Sequence, residues 1–422
     1  MKSYMKVAAL LGLSVVTLSA SGWRIPEQSL NGTALAAAYV ASANGADASY
    51  YNPANMVWMD DGSEMEMAFT YIKLPSIKYT DSLNSVGVTA YNGDSKVENF
   101  YVPTFHYVSS AVNNWRFGLS LVAPGGLSKR WDEAYGKTFA EEFSLTILEL
   151  NPTAAYQVNE KFAVGFGLRG VYTDGVVKSD GVVTTVPFAI SASRDMTGDS
   201  IDFGYNLALS YKPIENLTLS TTYRSKVDLT VEGNAKLADS IGGTYDGDVS
   251  VTVPLPASLT IAAAYTFNKT TVELVYDRTY WSAYKELDFK YPVALADPVL
   301  IAAFDDTKIR NWKDVNAYRI GVTHQYNDKL KLMAGFAIDK NPAPDNTLGF
   351  ELPDSDAKLY SLGVEYKLNE KMKIGLAYLY DQKESRTVNQ RTNPLDPTTG
   401  GVSGTFEDAS AHLLTASFKY RF

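Results

Sequence analysis

Residues 413–422, LLTASFKYRF, close the chain and decide how the rest of it is read. Leu414, Ala416, Phe418, Tyr420 and Phe422 form one file, and Leu413, Thr415, Ser417, Lys419 and Arg421 the other. Successive side chains of a strand point to opposite faces, so this segment is a strand with one greasy and one largely polar face. The edge strand of a soluble sandwich would alternate in the same way, because a period of two says only that one face is apolar. The choice between a sandwich and a membrane barrel rests on the remainder of the sequence.

Working back from the end, the same alternation recurs. Tyr360, Leu362, Val364 and Tyr366 oppose Ser361, Gly363, Glu365 and Lys367, while Phe203, Tyr205, Leu207, Leu209 and Tyr211 oppose Asp202, Gly204, Asn206, Ala208 and Ser210. Short Asn-containing links join neighbouring segments at 112–115, 158–162, 214–217, 267–270, 326–330 and 368–372, which is hairpin chemistry. Between them lie long stretches rich in Asp, Gly, Ser, Thr and Pro, at 178–197, 233–248, 282–311, 341–356 and 385–404. Short links at one end and long ones at the other are the layout of an outer-membrane barrel. The alternation predicts strands near 64–74, 97–110, 115–124, 143–157, 161–177, 199–211, 217–231, 249–266, 270–281, 312–326, 329–339, 358–367, 371–384 and 405–422. Fourteen is an even count, as a closed antiparallel barrel requires.

The start of the chain agrees. Lys2 and Lys6 precede an apolar run from Val7 to Leu18, and Ser19-Ala20-Ser21 supplies small residues for cleavage, so residues 1–21 read as a secretory signal. The run falls short of the ~20 residues a membrane helix needs. Aromatic residues make up 12% of the chain, 28 of them Tyr, and charged residues only 20%. Apolar content is thus spread through alternating strands that face lipid on one side. The net charge of −9 argues against a nucleic-acid partner, which needs a basic patch. Cysteine is absent and the three histidines, His106, His324 and His412, are scattered, which leaves little material for a metal centre or a catalytic triad. No enzyme and no cofactor is expected.

Residues 22–62 break the barrel rhythm. They are rich in small residues, with a short helix expected around Ala34–Val40 before Tyr50-Tyr51-Asn52-Pro53-Ala54. A segment of this size is too small for a core of its own, so its natural place is the barrel lumen. Gly22-Trp23, Glu27, Gly32, Ala38-Tyr39, Ala46-Asp47-Ala48 and Asn52-Pro53-Ala54 resemble the FadL-type transporters of long-chain fatty acids, a family with a subgroup of TodX-like aromatic hydrocarbon channels. The likeness continues through Val102-Pro103-Thr104-Phe105-His106, Gly126-Leu127, Gly165-Phe166-Gly167 and Val171-Tyr172.

The resemblance implies an all-β transmembrane antiparallel β-barrel of fourteen strands (63–422) plugged by an N-terminal hatch (22–62), working as a monomer in the bacterial outer membrane. Its hatch residues here are Glu27, Gly32, Asn52, Pro53 and Ala54. It implies capture of a hydrophobic ligand, a fatty acid or a hydrocarbon, by extracellular loops, and lateral exit at a kink in the third strand, which maps onto Pro124-Gly125-Gly126. The local chemistry is compatible, because proline removes a ladder donor and glycine tolerates a bent backbone. A plain strand end at these residues is the alternative. The final aromatics Phe418, Tyr420 and Phe422 resemble the signal read by the barrel-assembly machinery, and lipid and lipopolysaccharide would surround the wall.

An amphipathic acid needs a cation at its carboxylate. By alternation Arg116, Arg169, Arg224 and Arg319 face the lumen, where pairing with an acid such as Glu66, Asp202, Glu273 or Glu365 is the commoner fate of a charge. The family's basic residue near the outer end of the fifth strand is matched by Ser179, with Lys178 beside it on the opposite face, which leaves room for a neutral substrate. Loop aromatics, among them Tyr284, Phe289 and Phe304, are candidates for the capture groove, whereas Tyr280 and Trp281 suit an interfacial girdle. Two other readings stay open: a porin for hydrophilic solutes, suggested by the polar inward faces, and a surface adhesin or receptor built on the long loops.

Overall fold

The structure, a computed structural model, describes residues 22–184, 188–392 and 401–422; the expected signal, 1–21, lies outside them. Fourteen antiparallel strands close into one barrel. In chain order they are β1 (Glu64–Leu74), β2 (Glu98–Val108), β3 (Trp115–Lys129), β4 (Glu142–Asn159), β5 (Phe162–Thr184) and β6 (Ile190–Ile214). Next come β7 in two pieces (Leu217–Arg224, Val227–Asp239), β8 in two pieces (Thr244–Leu255, Ser258–Phe267), β9 (Thr270–Thr279) and β10 (Val315–Gln325). The set ends with β11 (Leu330–Asp339), β12 (Ala357–Lys367), β13 (Met372–Lys383) and β14 (Ser410–Arg421). β14 pairs with both β13 and β1, with Tyr420 opposite Met65 and Leu414 opposite Tyr71, so the sheet has no free edge where it closes.

The two files of each strand separate as the alternation requires. Leu414 and Ala416 face outward and are exposed, while Leu413, Thr415, Ser417 and Lys419 face inward and are buried. Tyr360, Leu362, Val364 and Tyr366 are likewise exposed against buried Ser361 and Glu365. Among the described residues no helix is long and apolar enough to cross a membrane. The membrane is crossed by strands.

Two expectations need correcting. The polar stretches at 178–197 and 233–248 are largely strand rather than loop: β5 and β6 stay paired up to Thr184 and Ile190, and the outer pieces of β7 and β8 up to Ala238 and Thr244. Asp, Gly and Ser are poor strand formers in isolation, but a ladder already started by the membrane-level residues carries them outward. The helix expected at Ala34–Val40 lies one turn earlier, as α1 (Leu30–Ala34), capped by Ser29. Ala36 and Ala37 have φ of 48° and 59°, a left-handed conformation that stops it.

Outside the membrane level, Lys78–Asp81, Gly93–Asp94, Arg386–Asn389 and Ser403–Glu407 form a small four-stranded sheet. It packs with α2 (Ala134–Ala140) around Trp131, Phe350 and Phe406. Arg391 and Asp81 form a fully buried ion pair beneath it.

Candidate functional site

Residues 22–62 run through the lumen, held by side chains that face inward from strands all around the wall. Glu66 of β1 accepts the Leu30 N–H, Glu273 of β9 accepts the N–H groups of Val40 and Ala41 (both 2.7 Å) and Ser42 (3.0 Å), and Ser361 of β12 donates to the Ala34 carbonyl. Each bond replaces one the segment would otherwise make with water. The wall gives way to let the chain close: a Cβ on Gly335 would lie 2.2 Å from the Leu35 carbonyl carbon, and one on Gly375 2.0 Å from the Leu30 side chain. Gly32 is needed for the same reason, since a Cβ there would fall 1.9 Å from the Tyr51 hydroxyl.

Asn52 sits towards the end of the barrel that carries the short turns. Its Nδ2 donates to the Val40 carbonyl (2.9 Å) and to Ser210 and Ser220 of β6 and β7. Pro53 then opens a short 3-10 helix, Pro53–Trp58, and Ala54 packs where β5 carries Gly165. Arg116 closes the segment by donating to the carbonyls of Met56 and Asp60.

β2 and β3 pair only through Phe105–Val108 against Leu121–Gly118. Beyond that they part, meeting again at Ser95 and Trp131. Pro124, Gly125 and Gly126 lie in the parted stretch, where β3 also carries an irregularity against β4 between Val122 and Gly125. Backbone groups opened at lipid level cost several kcal/mol each if left bare. Here the N-terminal segment covers them. The Gln28 side chain donates to the Ala123 carbonyl (2.7 Å) and accepts the Ala123 N–H (2.8 Å), the Ile25 N–H reaches the Pro124 carbonyl, and the Gly126 N–H reaches the Trp23 carbonyl. Residues 23–25 thus act as a short strand on the edge that β2 leaves.

Trp23 links this edge to an apolar slot. It packs against Trp281 (4.5 Å between ring centroids), Tyr284 (5.0 Å) and Trp312 (5.1 Å). The slot, about 70 Å³ open to the centres of water-sized spheres, is lined by Trp23, Leu127, Val177, Met196, Val231, Val251, Tyr284, Leu287, Phe289 and Leu352. Its charged groups are Arg310 and Glu351, paired at 2.6 Å. The pair leaves the buried Arg310 Nε without a hydrogen-bond partner.

The residues singled out from the sequence fall into separate places. Tyr284 and Phe289 line the slot; Phe304 of α3 (Pro298–Phe304) does not, but shares with Phe289 the Arg194 guanidinium, 5.6 and 5.7 Å from the two rings. Trp281 is wholly buried in the aromatic cluster, so it is not a girdle residue. Arg169, Arg224 and Arg319 are in the lumen, each held by an acid. Glu149 takes Arg169 (2.8 Å) and Arg224, while Arg319 lies 2.9 Å from Asp339 and 3.9 Å from Glu27. Those partners differ from the expected ones: Glu66 and Glu365 pair with Lys419, and Glu365 also with Lys331. Lys178 is absent from the slot. It follows Val177 in β5, so the period of two turns it to the other face, where it pairs with Asp195 at 3.4 Å. Phe418, Tyr420 and Phe422 lie on the outward file of β14, with Phe422 donating its N–H to the Ser63 carbonyl.

Sequence reasoning missed Gln28, Arg310, Glu351 and Glu149. The last could have been found, as it faces inward between Leu148 and Leu150 in an alternating strand. Arg310 and Glu351 lie in loops without periodicity, and nothing local marks them.

A family model described as outer membrane protein transport protein (OMPP1/FadL/TodX) matches residues 13–422. A long-chain fatty acid transport protein of Escherichia coli O6:H1 is 24% identical over 416 residues, covering 88% of this chain and 87% of that protein. Outer membrane protein P1 of Haemophilus influenzae is 25% identical, covering 80% of each. Among solved structures, a Pseudomonas aeruginosa FadL homologue superposes with a TM-score of 0.83 at 20% identity, covering 95% of this chain and all (100%) of that one. The Pseudomonas putida toluene transporter TodX does so at 0.69 and 19%, covering 97% of this chain and 100% of its own.

Proposed function

The chain belongs to the OMPP1/FadL/TodX family of outer membrane transport proteins, and on that premise we propose that it takes up hydrophobic compounds, long-chain fatty acids first among them. The ligand is captured at the extracellular loops, seated in the apolar slot, and released sideways through the parted β2–β3 wall once Trp23–Gln28 leaves the β3 edge. The observation that carries this reading is the continuity of slot and gap. Trp23 lines the slot with its ring while its carbonyl caps the gap, so a ligand that displaces the ring loosens the cap.

The slot also speaks for a carboxylic acid. Arg310 keeps a buried Nε–H without an acceptor beside its partner Glu351 in a mostly apolar lining, and a buried donor left bare costs about 1–3 kcal/mol. A ligand carboxylate would satisfy it. The relative from Escherichia coli O6:H1 is named for long-chain fatty acids, which is the same chemistry. Residues 22–62 serve as the hatch, the barrel works as a monomer in lipid and lipopolysaccharide, and Phe418, Tyr420 and Phe422 are the contact for the assembly machinery. The chain catalyses nothing.

The test is the ligand itself, extracted from protein purified in mild detergent and identified by mass spectrometry. A long-chain fatty acid bound to the wild type and lost from Arg310→Gln supports the reading. Equal recovery of fatty acid from both proteins sinks the role given to Arg310; uptake of labelled oleate no faster than in cells lacking the protein sinks the function.

A further inference from the structure

The wall is parted at a second place, between β6 and β7. In its inner part β6 pairs through Asn206–Tyr211 against Arg224–Leu219, and in its outer part through Ala192–Asp199 against Asp239–Glu232. No ladder pair joins residues 200–204 to 226–231. From one ladder to the next β7 spends one residue more than β6, a bulge that separates the strands. The cause lies in β7 and β8 together. β7 breaks at Ser225-Lys226 and β8 at Pro256-Ala257, and these breaks are level, since Arg224 is opposite Ser258 and Val227 opposite Leu255. Pro254 and Pro256 cannot donate to a ladder. The outer hairpin therefore leaves β6 over residues 226–231 and rejoins it at Glu232.

Both faces of β6 show the opening. On the lipid side Phe203 is 78% exposed, the highest value of any large apolar residue described. On the lumen side Asp202 and Gly204 are half-buried, although Asn206, Ala208 and Ser210 in the same file are buried. Side chains rather than ladder bonds cover the space. The Tyr205 N–H donates to Ser225 Oγ (2.9 Å), the Thr230 N–H reaches Asp202 Oδ2 at 3.3 Å, and a Cβ on Gly204 would lie 2.7 Å from Val227 Cγ2 and 2.8 Å from Ser225 Oγ. Immediately beyond, Gly198, Val231 and Gly233 line the apolar slot. The gap lies level with the outward apolar file Ile201, Phe203 and Tyr205, so it faces lipid, where missing ladder bonds are costly.

Resting on the reading that a hydrophobic molecule leaves the slot through the wall, we propose that the β6–β7 gap is a second lateral opening. A molecule in the slot reaches the outer leaflet there by displacing Val227, and the N-terminal segment stays on β3. This route runs beside the one at Pro124-Gly125-Gly126 and shares its ligand.

The chain has no cysteine, so a single engineered pair can close this gap cleanly. In Gly204→Cys/Val227→Cys the contact above brings the two Cβ atoms within reach of the ~3.5–4.5 Å that a disulfide spans. Uptake of [14C]oleate is measured in cells that lack their own fatty-acid channel and express the full chain. Oxidation should slow it at least twofold, and dithiothreitol should restore it. Val227→Gly, which widens the gap and needs no disulfide, should raise it at least twofold. Equal rates for the oxidised and reduced pair, or for Val227→Gly and its parent, overturn the second opening while leaving the first intact. A reduced pair and a wild type that are both no faster than empty cells overturn the transport reading on which it rests.

Discussion

Glu27 shows how single residues bind the lumen segment to the wall. Its carboxyl is buried, Oε1 has no hydrogen-bond partner, and the nearest cation, Arg319, is closer to Asp339. Burial pushes its pKa up to about 7. A raised carboxyl pKa means that the seated segment holds the proton more tightly than the released one. Its contribution is complete below the ordinary carboxylate range and is lost as pH rises through about 7. Release of residues 22–62, read by protease accessibility in folded protein, should therefore increase between about pH 5 and 8, and Glu27→Gln should flatten that profile. At this scale the sequence was half legible. Alternation alone placed Arg169, Arg224 and Arg319 in the lumen, but it could not name Glu149 or Asp339 as their partners, because a partner across two strands depends on register.

Among the elements, β3 and the glycine-lined wall of β10 to β13 decide how the barrel is closed. Pro124, Gly125 and Gly126 stood out in the sequence because proline and glycine are rare inside strands. What could not be read there is that Gln28 and residues 23–25 bond the exposed edge, a contact between segments about a hundred residues apart. Replacing Pro124-Gly125-Gly126 with Val-Thr-Val should pair β3 with β2, expel Trp23–Ile25 from the edge and reduce oleate uptake severalfold, with heat-modifiable migration on gels reporting an intact barrel. Unchanged uptake in a folded variant would speak against exit at β3. Gly335→Val acts on the opposite wall. A side chain there collides with the Leu35 backbone, so the variant should loosen residues 34–38 and raise ion conductance in planar bilayers above that of the wild type.

For the molecule as a whole, the barrel was legible because membrane strands must alternate and lipid leaves no other way to satisfy the backbone. The outer extensions of β5 to β8 were not, since their Asp-, Gly- and Ser-rich residues look like loops until a ladder carries them. A filled lumen makes two whole-molecule demands: small steady conductance for the wild type, and passage of cargo only when a covered wall gap opens. The central claim is that Trp23–Ile25 must leave β3 for cargo to exit at Pro124-Gly125-Gly126. Arg24 and Gly125 face each other as bridge partners with backbone bonds on either side, a geometry with Cα atoms about 4.5 Å apart that a disulfide spans once the Trp23 carbonyl, 2.9 Å from a Cβ at Gly125, shifts slightly. The direct measurement is [14C]oleate uptake by cells carrying Arg24→Cys/Gly125→Cys, oxidised and then reduced. Uptake that falls to half or less on oxidation and returns with dithiothreitol is the predicted result; oxidised and reduced cells taking up oleate at the same rate, well above cells without the protein, would contradict the account.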